Sequence, residues 1–323
     1  MAILTDLELE ALSYWTIGPI LEAELATTGS VNRTILLETA TKAYALRVCR
    51  PKKTKQVLQQ ECDVIDAVVA SGLPALAPLH LSNGLPFLTL DNQHFLLFPK
   101  AEGLQTPRAL LEPWQLWALG KCLADLTLTL ENYPTRDIHQ RTFQFDLETT
   151  LAKFDELEQR VKSFPNPGLD EKAALTQIKE RRKFLETHKP SASLENLHFQ
   201  VSHGDFQDTN VFFARDQISA IIDWDQVRVV PRYFELLRTT TFLLSELAPS
   251  TVSNFVKAFI ENYPIDNSEL KATVQLYTAE HAYNVWLLET IYLEGNDKAR
   301  VFLRGKFAVF FTPFEKLWER LEL

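Results

Sequence analysis

Short runs rich in apolar and β-branched residues open the chain. They lie at Pro19–Ala26, Asn32–Thr39 and Ala43–Val48, with Gly29 marking the first turn and Thr41-Lys42 the second. Runs of this length between turn residues predict strands. From Lys52 to Ser71 the period changes: Val57, Leu58, Cys62, Ile65, Val68 and Val69 recur at helical spacing until Gly72 and Pro74 stop them. Two further strands follow, near Pro86–Leu90 and His94–Phe98, with Asp91-Asn92 as a hairpin turn. Three strands, one helix and two strands predict a small antiparallel α+β unit rather than an alternating parallel sheet.

Pro99–Pro113, with Gly103 and three prolines, reads as a connector. Beyond it the pattern is helical over Pro113–Leu130, Leu147–Ser163, Asp170–His188 and several segments from Tyr233 onward. The expected division is therefore residues 1–99 and residues 100–323, in keeping with a 323-residue chain being more than one core usually organises. One stretch, Phe199 to about Asp225, breaks the helical pattern. There Asn210–Phe213 and Ile218–Ile222 flank a polar turn at Arg215–Gln217 and predict a hairpin.

Composition narrows the classes. Apolar residues make up 46% and charged residues 23%, the balance of a globular protein. The net charge of −9 repels nucleic-acid and membrane phosphates and suits a cationic substrate. No signal peptide is evident at the start, and no apolar run approaches the roughly 20 residues that span a bilayer. Cys49, Cys62 and Cys122 are odd in number, far apart and outside any CxxC. A disulfide framework and structural zinc are both disfavoured, and a reduced, cytoplasmic compartment is expected.

The non-helical break holds His203-Gly-Asp205-Phe-Gln-Asp-Thr-Asn210, an H-x-D-x4-N pattern, and Asp223 follows thirteen residues after Asn210. Phosphoryl transfer asks little covalent chemistry of a protein. It needs an acceptor for the substrate's hydroxyl proton, oxygen ligands for magnesium and a cation for the nucleotide phosphates. Asp205 on a loop can accept the proton, and Asn210 and Asp223 offer the hard oxygen donors Mg2+ prefers. The predicted hairpin puts Asn210 before its outgoing strand and Asp223 after its returning one, so both belong at one end beside the Asp205 loop. The competing reading is that His203 and Asp205 merely organise a turn, with Asn210 in an Asx-type bond.

The HGDFxxxN and IIDWD stretches resemble the catalytic loop and metal-binding segment of the aminoglycoside phosphotransferase and choline kinase group, small-molecule kinases of the protein-kinase-like type. The resemblance runs from about Ala26 to Arg238. It implies a bilobal fold with a small antiparallel-sheet N-lobe and a mostly helical C-lobe, with ATP in the cleft. It also implies Asp205 as the catalytic carboxylate, Asn210 and Asp223 as magnesium ligands, and His203 in support. Arg47 in Ala43-Tyr-Ala-Leu-Arg47 stands where the family carries its phosphate-holding cation, and Glu61 on the next helix is its natural partner. Thr27–Asn32 is a thin covering loop with one glycine, whose Ser30 hydroxyl is offered to phosphate. Leu97–Gly103 resembles the hinge, so the adenine edge is expected on main-chain groups around Phe98 and Lys100. Asp225 is expected beside the metal site rather than in it, and Glu235 as a brace for the catalytic loop, although Glu235 and Arg238 would also suit a helix-surface pair. Leu119-Gly120 through Thr127 resembles a family helix in which Thr127 replaces His.

Substrate choice is expected in the C-terminal helices. Trp286, Glu289 and Tyr292 are expected on one helical face, where rings and a carboxylate could hold an ammonium; a core-facing aromatic stripe fits the same residues. The acceptor is expected to be a hydroxyl of an amino alcohol, amino acid, sugar or aminoglycoside. Two alternatives remain. A protein kinase would carry H-R-D and D-F-G, whereas Gly204 and Trp224-Asp225 stand here. A nucleotide-binding pseudokinase acting as a scaffold is opposed by the presence of Asp205, Asn210 and Asp223 and left open by the thin glycine loop and Arg47.

Overall fold

In–out alternation along the strands decides the architecture of the N-terminal half. The computed structural model of the protein describes residues 3–26, 32–51, 53–188, 194–304 and 313–321. Strands β1 (Ile20–Leu25), β2 (Arg33–Thr39), β3 (Ala43–Val48), β4 (Leu88–Leu90) and β5 (Gln93–Pro99) form one antiparallel sheet in the order β1-β2-β3-β5-β4. Alternate residues leave a strand on opposite faces. Ile35, Leu37, Tyr44, Leu46, Phe95 and Leu97 thus meet Ala11, Leu12 and Trp15 on one side, while Leu96 packs with Leu58 and Cys62 on the other. Helix α2 (Lys55–Ala70) supplies the second cover, with Thr54 accepting from the Val57 N–H at its start. The Asp91-Asn92 turn between β4 and β5 has both residues at positive φ, the geometry that matches the twist of a two-residue hairpin.

The first cover is helix α1 (Asp6–Leu12), which the hydrophobic pattern does not announce. Its signal is the capping box Thr5-Asp-Leu-Glu8: the Thr5 hydroxyl accepts from the Glu8 N–H and the Glu8 carboxylate from the Thr5 N–H. Glu8 also meets Arg33 at 2.8 Å, which ties α1 to the start of β2.

Contacts group the chain into two units. The first gathers residues up to Thr106 with Pro134–Ile138 and His203–Val227; the second gathers Pro107–Tyr133, His139–Ser202 and Arg228–Leu323. This is not the single cut at residue 99 expected from the connector, because the segment bearing the H-x-D-x4-N pattern joins the strand-rich unit. That segment contains the expected hairpin, β7 (Val211–Ala214) with β8 (Gln217–Ile221). It is held by the sequence's two prolyl and glycyl connectors. Ile221 exchanges main-chain bonds with Pro74 and Leu76, and Phe213 with Leu104. Gly103 permits the second contact, since a Cβ there would lie 2.2 Å from the Phe213 carbonyl oxygen.

The second unit is helical: α3 (Pro113–Leu130), α4 (Leu147–Lys162), α5 (Leu169–His188), α6 (Phe234–Leu244), α7 (Pro249–Asn262), α8 (Asn267–Tyr283) and α9 (Trp286–Tyr292), with a final helix over Phe314–Glu319. It includes a two-stranded ladder unforeseen in the pattern, β6 (Phe199–Ser202) with β9 (Arg228–Pro231). Helices α3 and α7 approach closely at Gly120, where a Cβ would lie 2.0 Å from the Phe255 carbonyl oxygen and 2.9 Å from the Ala258 side chain. Thr127, the residue standing in place of His, is buried and donates its hydroxyl to the Leu123 carbonyl.

Two outcomes follow. Gly120→Ala forces the α3–α7 contact apart and should lower stability by about 1–3 kcal/mol in urea unfolding, the usual cost of overpacking. Glu8 gives a pH signature. Burial works to raise its pKa, but Arg33 and Thr5 together hold it below the ordinary carboxylate value. Its contribution is therefore present above that value and lost as pH falls through the lowered folded one. Glu8→Gln should flatten this part of the acid limb in a melting-temperature profile.

Candidate active site

Residues of the first unit assemble in two neighbouring groups, one on the hairpin and one on the sheet. The hairpin group follows from strand pairing. Val211 pairs with Ile221, and one step further the Ile222 N–H donates to the Asn210 carbonyl at 2.9 Å. The turn at the far end, Arg215-Asp216, has both residues at positive φ. Asn210, bonded to Ile222, and Asp223, the next residue along, are therefore both at the open end of the hairpin. Asp223 takes a left-handed backbone, φ 62° and ψ 58°, and starts a single 3-10 turn over Trp224–Gln226.

The Asp205 loop is knitted onto this end. Asp205 N–H donates to His203 Nδ1 at 3.2 Å, and the Ile222 carbonyl lies 3.0 Å from His203 Nε2. Because Nδ1 accepts, the ring proton sits on Nε2 and is donated to Ile222. The buried imidazole packs against Trp224 with centroids 4.4 Å apart. The Asp205 carboxylate accepts from Gln207 Nε2 at 3.0 Å and from Asn210 Nδ2 at 3.2 Å. Asn210 also donates to the Asp205 carbonyl at 2.9 Å. Its amide nitrogen is thus committed to Asp205, and its carbonyl oxygen is the end left for a cation. His203 and Asn210 do organise the turn, and in doing so they orient Asp205.

The sheet group begins with Arg47. Leu46 and Tyr44 point to the α1 side, so Arg47 points to the α2 side, where it meets Glu61 at 2.5 Å. Phe98 lies beneath the guanidinium, 5.4 Å from ring centre to Cζ. Burial opposes the Arg47 charge, but Glu61 more than compensates and raises its pKa above the ordinary value. Its Nε is buried without a hydrogen-bond partner among the described residues, a donor that a phosphate oxygen would satisfy. Lys53, which sequence reasoning missed, donates from a fully buried ammonium to both Glu61 and Asp225. Burial works to raise the Asp225 pKa, yet Lys53, then Arg47 and Arg50, bring it below the ordinary value. Asp223 differs. The residue is exposed, but protein crowded around its carboxyl raises its pKa, against the pull of His203 and Arg47 and with smaller contributions from Asp225 and Asp205.

Other expected residues are placed less favourably. Ser30 lies outside the described residues. Lys100 spends its N–H on the Ala43 carbonyl and its ammonium on Glu38, so its main-chain donor is already used by the sheet. Glu235 is buried, not on the helix surface, and accepts from Ser202, the residue before His203. Trp286, Glu289 and Tyr292 do not share a face. Trp286 is 60% exposed, Glu289 pairs with Lys153 at 3.3 Å, and Tyr292 is buried against Phe164. Steps of three residues precess by about 60° each on a helix of 3.6 residues per turn, so the first and last point well apart. Among the described residues no three His, Cys, Asp or Glu side chains form a cage that could hold a metal unaided. An amide and a carboxylate oxygen fit a magnesium ion that keeps phosphate and water ligands.

An antiparallel sheet unit followed by a helical unit is the α+β, bilobal protein-kinase-like fold, and the solved structures it resembles are kinases of small molecules. Spectinomycin phosphotransferase in complex with ADP and spectinomycin matches with a TM-score of 0.67 at 18% identity, covering 100% of both chains. An aminoglycoside phosphotransferase from Alicyclobacillus acidocaldarius matches at 0.68 and 12% identity, over 97% of this chain and 94% of that one. A microcompartment-associated aminopropanol kinase matches at 0.61 and 16%, over 92% and 93%. The chain belongs to the Phosphotransferase enzyme family (APH), whose model matches residues 22–267. A homoserine kinase of Methylobacterium nodulans is 25% identical over 229 residues, 69% of this chain and 66% of that protein, so the match spans just under two thirds of the relative's length.

His203→Ala removes the partners of the Asp205 N–H and the Ile222 carbonyl together. Stability should fall by about 1–3 kcal/mol, the cost of stranding buried polar groups, in chemical unfolding followed by far-UV circular dichroism.

Proposed function

We propose that the protein transfers the γ-phosphoryl group of ATP, with Mg2+, to a hydroxyl of a small molecule. The observation that carries this reading is the hairpin-end pairing of Asn210 with Ile222, which gathers Asp205, Asn210 and Asp223. In this reading the substrate hydroxyl gives its proton to the Asp205 carboxylate as its oxygen bonds to the γ-phosphorus. The bond from that phosphorus to the bridging oxygen breaks, and ADP departs. Gln207 and Asn210 hold the Asp205 carboxylate in one orientation, and a general base needs such placement. Asn210 and Asp223 would hold Mg2+, which when bound neutralises charge on the phosphate oxygens. Arg47, braced by Glu61 and set over Phe98, would hold the nucleotide phosphates with its unspent Nε donor.

Two of the similar proteins, a homoserine kinase and an aminopropanol kinase, are named for small amine-bearing alcohols, and the acidic net charge of this chain agrees with such an acceptor. An amino alcohol or hydroxy amino acid is therefore the first acceptor class to test, with sugars and aminoglycosides after it. Cys49, Cys62 and Cys122 are all buried and unpaired, which supports a reducing, cytoplasmic setting. No helix among the described residues is long and apolar enough to cross a membrane.

The test is ATP consumption with Mg2+ against a panel of such hydroxyl compounds, with Asp205→Asn as the blank. Turnover with one compound, reduced by about 10²–10⁴-fold in the variant, is the expected result. ATP binding without turnover on any compound would favour a pseudokinase scaffold, and absence of ATP binding would sink the kinase reading.

A further inference from the structure

Lys53 lies in the loop between β3 and α2, one residue ahead of the Thr54 cap, and its side chain is 1% exposed. Lysine is almost never buried unless paired. Here the ammonium bonds to Glu61 on α2 and to Asp225 in the turn after β8. Each of these carboxylates has a second cation: Glu61 meets Arg47 at 2.5 Å, and Asp225 meets Arg50 at 3.6 Å. The five groups form one chain, Arg47–Glu61–Lys53–Asp225–Arg50, with three cations and two carboxylates and hence a net charge of +1.

Stability alone does not account for this arrangement, because a buried ion network is often matched or exceeded by apolar side chains of similar volume. What the network does is fix positions. Glu61 receives Arg47 and Lys53 on its two oxygens, so its carboxylate has one orientation to offer Arg47. Asp225 is drawn to the α2 side with its side chain 4% exposed, while Asp223, two residues earlier, stays exposed. Trp224 between them is clamped by His203 and by its indole N–H on the Ile221 carbonyl. The pull on Asp225 therefore decides which of the two carboxylates faces outward.

Resting on the kinase reading above, we infer that Lys53 is a positioning residue of the nucleotide site: one buried ammonium sets Arg47 through Glu61 and holds the Asp223 turn through Asp225. It touches no phosphate itself. It also explains how a chain with arginine at the phosphate-holding position keeps that arginine oriented.

The experiment is calorimetric titration of the full-length protein with ADP, with and without Mn2+ as the metal probe. Charge bookkeeping gives the two variants opposite signs. Lys53→Met takes the network from +1 to 0 and frees Glu61, so metal-free ADP binding should weaken at least tenfold, and Lys53→Arg should recover most of the loss. Asp225→Asn takes the network to +2 and releases the turn. Metal-free ADP binding should then hold or improve, while the gain in affinity that Mn2+ gives should shrink several-fold. A folded Lys53→Met protein binding ADP within twofold of wild type would overturn the inference. If Lys53→Met does not fold, an unchanged Mn2+ gain in Asp225→Asn overturns it instead. Wild-type protein that binds no ADP would remove the kinase reading and this inference together, whereas normal wild-type binding with unaltered variants would remove only this one.

Discussion

The main-chain bond from Ile222 to Asn210 is the closure on which the candidate site depends. Strand pairing is a matter of register, and register has only two parities: a slip of one residue would turn every side chain of the hairpin to the other face. Val211 and Ile221 are both buried in the present pairing, which fixes the register by burial. The positions of Asn210 and Asp223 are then consequences of hydrophobic packing one and two residues away along the backbone. The chemistry is carried on polar residues, but apolar ones aim it.

The same parity governs the sheet. Tyr44 and Leu46 are committed to the α1 side, so Arg47 has nowhere to go but the α2 side. Burying a guanidinium and an ammonium in one place is costly unless each is paired and bonded. The protein meets this by alternating signs along the network, so that every charge has an opposite neighbour. Asp223 is outside that alternation, and burial of its carboxyl raises its pKa against the opposing pull of His203 and Arg47.

Much of this was legible in the sequence, and the exceptions share a cause. Strands β1 to β5, helices α2 to α5 and the β7–β8 hairpin announce themselves through local period and turn residues. The β6–β9 ladder does not, because Ser202 and Arg228 find each other across a long excursion with no turn between them. Helix α1 is only seven residues, too short for a period, and its capping box was the available clue. Lys53 was invisible for a sharper reason: its partners lie 8 and 172 residues away, and nothing local distinguishes a buried lysine from a solvated one. The supposed Trp286–Glu289–Tyr292 face failed on geometry. All three residues lie on the one short helix α9, but six residues carry the chain about 120° away from a whole number of turns, so Trp286 faces out while Tyr292 is buried.

The three cysteines have a practical side. Each is a free thiol in a packed interior, and burial raises the pKa of all three, that of Cys122 to about 12. Thiolate is the reactive form, so the folded chain behaves toward alkylating reagents almost as though it had no cysteine. A single cysteine introduced on the surface becomes the one labelling handle, and the native sequence already serves as its background. Conversely, thiol labelling of the unaltered chain reports the opening of its core and nothing else.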